Sequence, residues 1–197
     1  MDPTDQLRRT MAWVAALNLS YFVIEFGVAL SIGSASLLAD SADFFEDASV
    51  NLLVLAALRW SPARRARVGM LLAGVLLAPA AAFAGVLLQQ LHGHAPPRAL
   101  PLSATGAGAL AVNLTCAFAL ARLRHHAGSL TNAAFLSARN DAAANVAIIA
   151  AGGLTALTRS VWPDLLVGLG IAVMNIDAAR AIWRAAREEH RLATKET

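Results

Sequence analysis

LLADSADFFEDAS, Leu37–Ser49, places Asp40, Asp43, Glu46 and Asp47 within eight positions. VNLLVLAAL, residues 50–58, follows at once and has the composition of a membrane-buried helix. At about 100° per residue, Ser36, Asp40, Asp43, Asp47 and Asn51 fall on a narrow arc of one helix face, with Glu46 off that arc. A carboxylate near the middle of a bilayer costs at least a few kcal/mol, so several on one face must be paired, solvated or bound to a cation. The arc is therefore expected to line a cavity inside a helical bundle.

The rest of the chain supplies the bundle. Of its 197 residues 57% are apolar and 15% charged, and the mean hydropathy is +0.56, outside the usual range of a soluble domain. Six runs, near 11–32, 36–58, 68–90, 101–122, 133–157 and 163–185, approach the roughly 20 residues that cross about 30 Å of hydrocarbon as helix. The sequence predicts an all-α membrane protein, a six-transmembrane-helix bundle. Its parts are a cytoplasmic N-terminus (1–10), a transmembrane domain (11–187) and a short cytoplasmic tail (188–197), with no room for a soluble domain of ordinary size. Pro and Gly mark the breaks in WSPARRAR (60–67), LHGHAPPRALP (91–101), HHAGS (125–129) and TRSVWPD (158–164). The short connections make neighbouring helices antiparallel.

A pI near 10.0 raises nucleic acid as a partner, but topology accounts for the basic residues better. Arg8 and Arg9 precede the first run, and Arg59, Arg64, Arg65 and Arg67 fill the second connection. Arg122 and Arg124 open the fourth connection, and Arg180, Arg184, Arg187, Arg191 and Lys195 crowd the C-terminus, whereas the other three connections hold only Arg98 and Arg159. By the positive-inside rule both termini and the even-numbered connections are cytoplasmic, as an even number of spans requires. The location that follows is the bacterial inner (cytoplasmic) membrane, with the lipid bilayer as partner and no nucleic acid. Asp2 and Asp5 sit where a cleavable signal would be basic, so the N-terminal run reads as the first span. Cys116, inside an apolar run, reads as core.

A second polar face lies in FLSARNDAAANVAII (135–149), where Ser137, Asp141 and Asn145 are spaced i, i+4, i+8. If the two faces meet, Asp43, Asp47 and Asp141 converge as oxygen donors, with Ser137 or water completing a shell that suits a divalent cation. The first run adds Asn18, Tyr21 and Glu25, about one turn apart, and the fourth adds Asn113. Asn18 and Asn113 read as hydrogen-bonding groups between helices. For Glu25 the cost of burying a charge leaves a structural role and a proton role both open, and Asp40, Glu25 and Asn145 are candidates for an accessory or proton pathway.

SIGSASLLADSADFFEDAS (31–49) resembles the second-helix signature of the cation diffusion facilitators, the cation efflux family. ARNDAAANVAIIAAGG (138–153), WPDLLVGLGIAV (162–173) and NLSYFVIEF (18–26) are similar to the fifth, sixth and first helices of that family. The resemblance implies export of divalent transition metals from the cytoplasm in exchange for protons, usually by a homodimer, through a four-ligand site between the second and fifth helices. Carried over, the ligands are Asp43, Asp47, Asp141 and Ser137. A hydroxyl at Ser137 departs from the His or Asp usual there. Family members usually carry a cytoplasmic domain after the sixth helix, so a chain that stops soon after it resembles the small, truncated branch.

These readings predict a divalent metal cation transporter, a metal/proton antiporter, with Zn, Mn, Fe, Co or Cd as substrate and no prosthetic group. Mutual repulsion among three carboxylates lets protons compete with metal, and an oxygen-only site leans toward Mn²⁺, Fe²⁺ or Co²⁺ although the Irving–Williams order favours Zn²⁺. The alternative is a non-transporting membrane partner or regulator that keeps the metal-binding bundle. No Ser/His or zinc-hydrolase arrangement stands at working spacing, so the chain does not read as an enzyme. His92, His94, His125 and His126 read as solvated loop residues, Arg139 as a snorkelling side chain, Asp164 as a cap on the sixth helix, and Asp177 with Arg180 as an i, i+3 pair.

Overall fold

The computed structural model describes residues 3–57, 77–92, 95–121 and 128–175 and the single positions 64, 68 and 71. Among the described residues there are six helices and no strand: α1 Pro3–Ile32, α2 Ala35–Ala57, α3 Leu77–Leu91, α4 Ala99–Ala121, α5 Gly128–Thr158 and α6 Trp162–Asn175. Asp5–Ile32, Ala99–Ala121 and Ala138–Thr158 are each long and apolar enough to cross a membrane, and Pro79–Leu91 and Trp162–Asn175 are shorter apolar helices. α2 has the length, 23 residues, but its positions 40–47 carry the four carboxylates. Within the described residues each of the six expected spans thus coincides with helix. α1 starts at Pro3, ahead of the expected 11, because Pro at the first helical position and Asp5 in the first turn favour a helix that continues into the polar region. His94, His125, His126, Asp177 and Arg180 lie outside the described residues.

The link between α1 and α2 is two residues long. Gly33 takes φ +66°, which a side chain would oppose, and the Ser34 amide donates to Ala29 O at 3.1 Å, the wide backbone bond that closes a helix on a left-handed residue. Ser34 Oγ then accepts from the Leu37 amide at 3.2 Å and caps the start of α2. The chain reverses tightly, so α1 and α2 pack along each other, as do α4 and α5.

Small side chains let these helices approach. Ala29, Ala35, Leu37, Leu38, Leu102, Ile148 and Leu165 form a core near the α1–α2 turn, and Val14, Cys116, Ala117, Leu120 and Ala138 form another nearer the opposite end. Close packing of small residues is what drives helix association where lipid is as apolar as the side chains. Leu100, Phe118, Leu157 and Val23 project outward, a surface that suits hydrocarbon and not water.

Candidate metal-binding site

α2 and α5 meet as their polar faces predict. Asp43, Glu46 and Asp47 of α2, Asn140 and Asp141 of α5, and Met174 and Asn175 of α6 line one cavity of about 150 Å³. Asp43 and Asp47 follow the start of α2 by eight and twelve residues. At 1.5 Å per residue that is on the order of 12–18 Å into the helix, around the middle of α2. Asp43 stands in the negative field of Asp141, Asp40, Glu46 and Asp47 together. Among the described residues no three of His, Cys, Asp and Glu are drawn together into a finished ligand cage; the acidic groups face a shared space instead. Ser137 lies on α5 one turn before Asp141, and its side chain is outside the described residues.

The α2 arc divides by depth into separate roles. Ser36 belongs to the helix start, Asp43 and Asp47 to the cavity, and Asn51 turns back to donate to Asp47 O at 2.8 Å. Asp40 is fully buried and accepts from Asn145 Nδ2 at 2.5 Å, while Asn145 Oδ1 accepts from Asn113 Nδ2 at 2.9 Å. The polar face of α5 is split in the same way: Asp141 faces the cavity and Asn145 joins α2 to α4. Glu25 of α1 is also fully buried, with its carboxyl within hydrogen-bonding reach of Asp40. The Tyr21 hydroxyl donates to Thr105 O at 2.6 Å, and Cys116 Sγ lies 3.6 Å from Asn18 Oδ1, so both groups tie α1 to α4.

Asp164 does not cap α6 as expected. The Ser160 hydroxyl takes the Trp162 amide of α6 at 3.3 Å, and the Asp164 carboxylate reaches across to α2. It accepts from the Ala35 amide (2.7 Å), the Ser36 amide (3.2 Å), the Ser34 hydroxyl (2.8 Å), the Ser36 hydroxyl (2.6 Å) and Gln90 Nε2 (3.3 Å). The physical reason is proximity of a richer donor set: the bare amides of one helix start and two serines outbid a single dipole that Ser160 already serves. Gly168 makes the approach possible, since a Cβ there would lie 2.7 Å from the Ala35 carbonyl carbon.

Glu46, Asn140, Met174, Asn175 and Gln90 were not among the sequence candidates. The signal for Asn175 was a lone amide in an apolar run, and for Gln90 the Gln89–Gln90 pair closing one: Asn175 Nδ2 donates to Ala39 O at 3.2 Å, and Gln90 Nε2 to Gly33 O at 2.5 Å. Glu46 and Asn175 also border a second, mainly apolar cleft of about 280 Å³, walled by Leu38, Pro79, Phe83, Leu169 and Val173. His92 is exposed, and its Nδ1 donates to Leu88 O at 2.6 Å at the end of α3. Arg139 is exposed too, with Nη2 3.4 Å from Asn140 Oδ1.

Residues 11–189 match the family described as the cation efflux transmembrane domain. No curated protein matches the chain.

Proposed function

Because the chain belongs to the cation efflux family, we propose that it is a divalent metal/proton antiporter that exports metal from the cytoplasm. One observation carries this reading: Asp43 and Asp47 of one helix and Asp141 of another border the same cavity. Carboxylates so placed are stable when a cation neutralises them, and side-chain rotation within the shared space is enough to bring three oxygens onto one ion. Ser137, one turn before Asp141, completes the shell with its hydroxyl or through water. An oxygen-only donor set leans toward Mn²⁺, Fe²⁺ or Co²⁺, while a nitrogen-free site gives up part of the preference for Zn²⁺ or Cd²⁺.

Transport follows from alternating access. Metal enters from the cytoplasm, the bundle rocks around the fixed site, and protons take the carboxylates as metal leaves on the other side. Two copies in the bacterial inner membrane, both termini cytoplasmic, form the working unit. The test is uptake of Mn²⁺, Fe²⁺, Co²⁺, Zn²⁺ and Cd²⁺ into vesicles holding the purified chain, with and without a pH gradient. Metal uptake that dissipates the gradient supports the antiporter. Metal binding with no flux of any ion would overturn it in favour of a non-transporting partner or regulator.

A further inference from the structure

The Glu25 and Asp40 carboxyls are each fully buried, and they face each other within hydrogen-bonding reach across α1 and α2. Asp40 Oδ2 accepts from Asn145 Nδ2, but Asp40 Oδ1 and both Glu25 oxygens are buried with no donor. Two facing carboxylates hold no donor between them, and orphaned buried oxygens are costly. A single proton on Glu25, donated to Asp40 Oδ1, satisfies two of the three at once and leaves the pair with one net negative charge.

We propose that Glu25 and Asp40 share one proton and form a proton-binding site distinct from the metal cavity. The Asn113–Asn145 amide chain, anchored on Asp40 Oδ2, keeps Asp40 as the acceptor and Glu25 as the acid. The titratable groups acting on the pair are Tyr21 of α1 and Asp43 of α2, while α4 and α5 present the amides Asn113 and Asn145. Asp43, a turn beyond Asp40, connects the pair to the metal site. When a divalent ion arrives at Asp43, its charge stabilises a second carboxylate nearby, Glu25 gives its proton to water, and the pair passes from one negative charge to two. When the ion departs, Glu25 takes a proton back from water. Metal and proton then weaken each other's binding reciprocally.

The coupling rests on the antiporter reading; the shared proton does not, and the experiment separates them. Infrared spectra of the purified metal-free chain at neutral pH are expected to show a protonated-carboxyl band that shifts in D₂O, disappears in Glu25→Gln and survives in Asp47→Asn. Absence of the band in the parent, or its survival in Glu25→Gln, would overturn the shared proton. So would stabilisation of the parent by Na⁺ or K⁺ in place of the band, which would make the pair a metal-cation site. If Glu25→Gln does not fold, Asp40→Asn decides: loss of the carboxylate acceptor must move the band, and an unmoved band overturns the pairing. In vesicles, Glu25→Gln is expected to lower uptake driven by a pH gradient about tenfold or more while metal-induced thermal stabilisation persists. Full gradient-driven uptake by Glu25→Gln would overturn the coupling. A parent that moves no metal would overturn the antiporter reading, and the infrared result would still decide the proton.

Discussion

The Asp164 carboxylate of α6 lies 2.7 Å from the Ala35 amide that opens α2, across 129 residues of sequence. With Ser34, Ser36 and Gln90 also bound to it, one buried acid joins the ends of α2, α3 and α6 on one side of the bundle. The acidic cavity lies farther along α2, lined on one side by Met174 and Asn175 near the other end of the described α6. The clamp therefore sets how α2 and α6 splay where they flank the cavity.

Asp164→Asn puts an amide NH₂ where five donors converge, so at least one donor loses its acceptor and another meets a like donor. Leaving buried donors unsatisfied costs about 1–3 kcal/mol each, which for a chain of this size corresponds to a melting temperature lower by roughly 5 °C. Ser36→Ala, which removes one hydroxyl donor and leaves the amides bound, is expected to lower it by less. Thermal unfolding in detergent checks both. Equal melting of Asp164→Asn and parent would show that the carboxylate charge does not hold the helices together.

Orientation follows from the basic connections. A cysteine at Ala95, in the connection after α3, is expected to react with an impermeant reagent from outside the cell, whereas one at Gln6, at the start of α1, is expected to react only after permeabilisation. The native Cys116 is buried and gives little background. The reverse pattern would invert the bundle and turn export into import.

The six helices and the meeting of α2 with α5 were legible because a bilayer makes each carboxylate conspicuous. Asp43, Asp47 and Asp141 had to face a cavity, and two polar stripes at helical spacing have few ways to be buried other than against each other. The clamp at Asp164 was not legible. Capping rules act within a few residues, and nothing local in WPD tells whether the acid serves its own helix or one 129 residues away. Glu46 was missed for a different reason: a stripe is a line on one helix, whereas a cavity bordered by α2, α5 and α6 is wide enough to take in a residue off that line.

Ser137 offers a test of metal choice. If three carboxylates hold the ion, Ser137→Ala is expected to weaken Mn²⁺ binding only modestly. Ser137→His supplies an imidazole nitrogen and is expected to move the preference toward Zn²⁺ or Cd²⁺, read as the order of affinities in a competition assay. An unchanged order in Ser137→His would place residue 137 away from the ion.

Asp47 and Asp141 are expected to act through charge at a shared site and not through folding. Asn in place of either keeps shape and much of the hydrogen-bonding capacity but removes one negative charge from a cluster in which Asp43 already faces Asp141, Asp47, Glu46 and Asp40. Relief of that repulsion means that, free of metal, Asp47→Asn and Asp141→Asn melt at least as high as the parent. Metal acts in the opposite direction. Because a divalent ion binds only the folded chain, it raises the parent's melting temperature by mass action, and the loss of one carboxylate of three removes most of that rise. The effect has a definite sign with pH: protonated carboxylates are poor ligands, so the parent's metal-induced rise shrinks as pH falls. Melting curves of parent and variants, with and without Mn²⁺ across that range, check both statements. Variants that keep the parent's metal-dependent rise at every pH would show that the ion does not bind between α2 and α5.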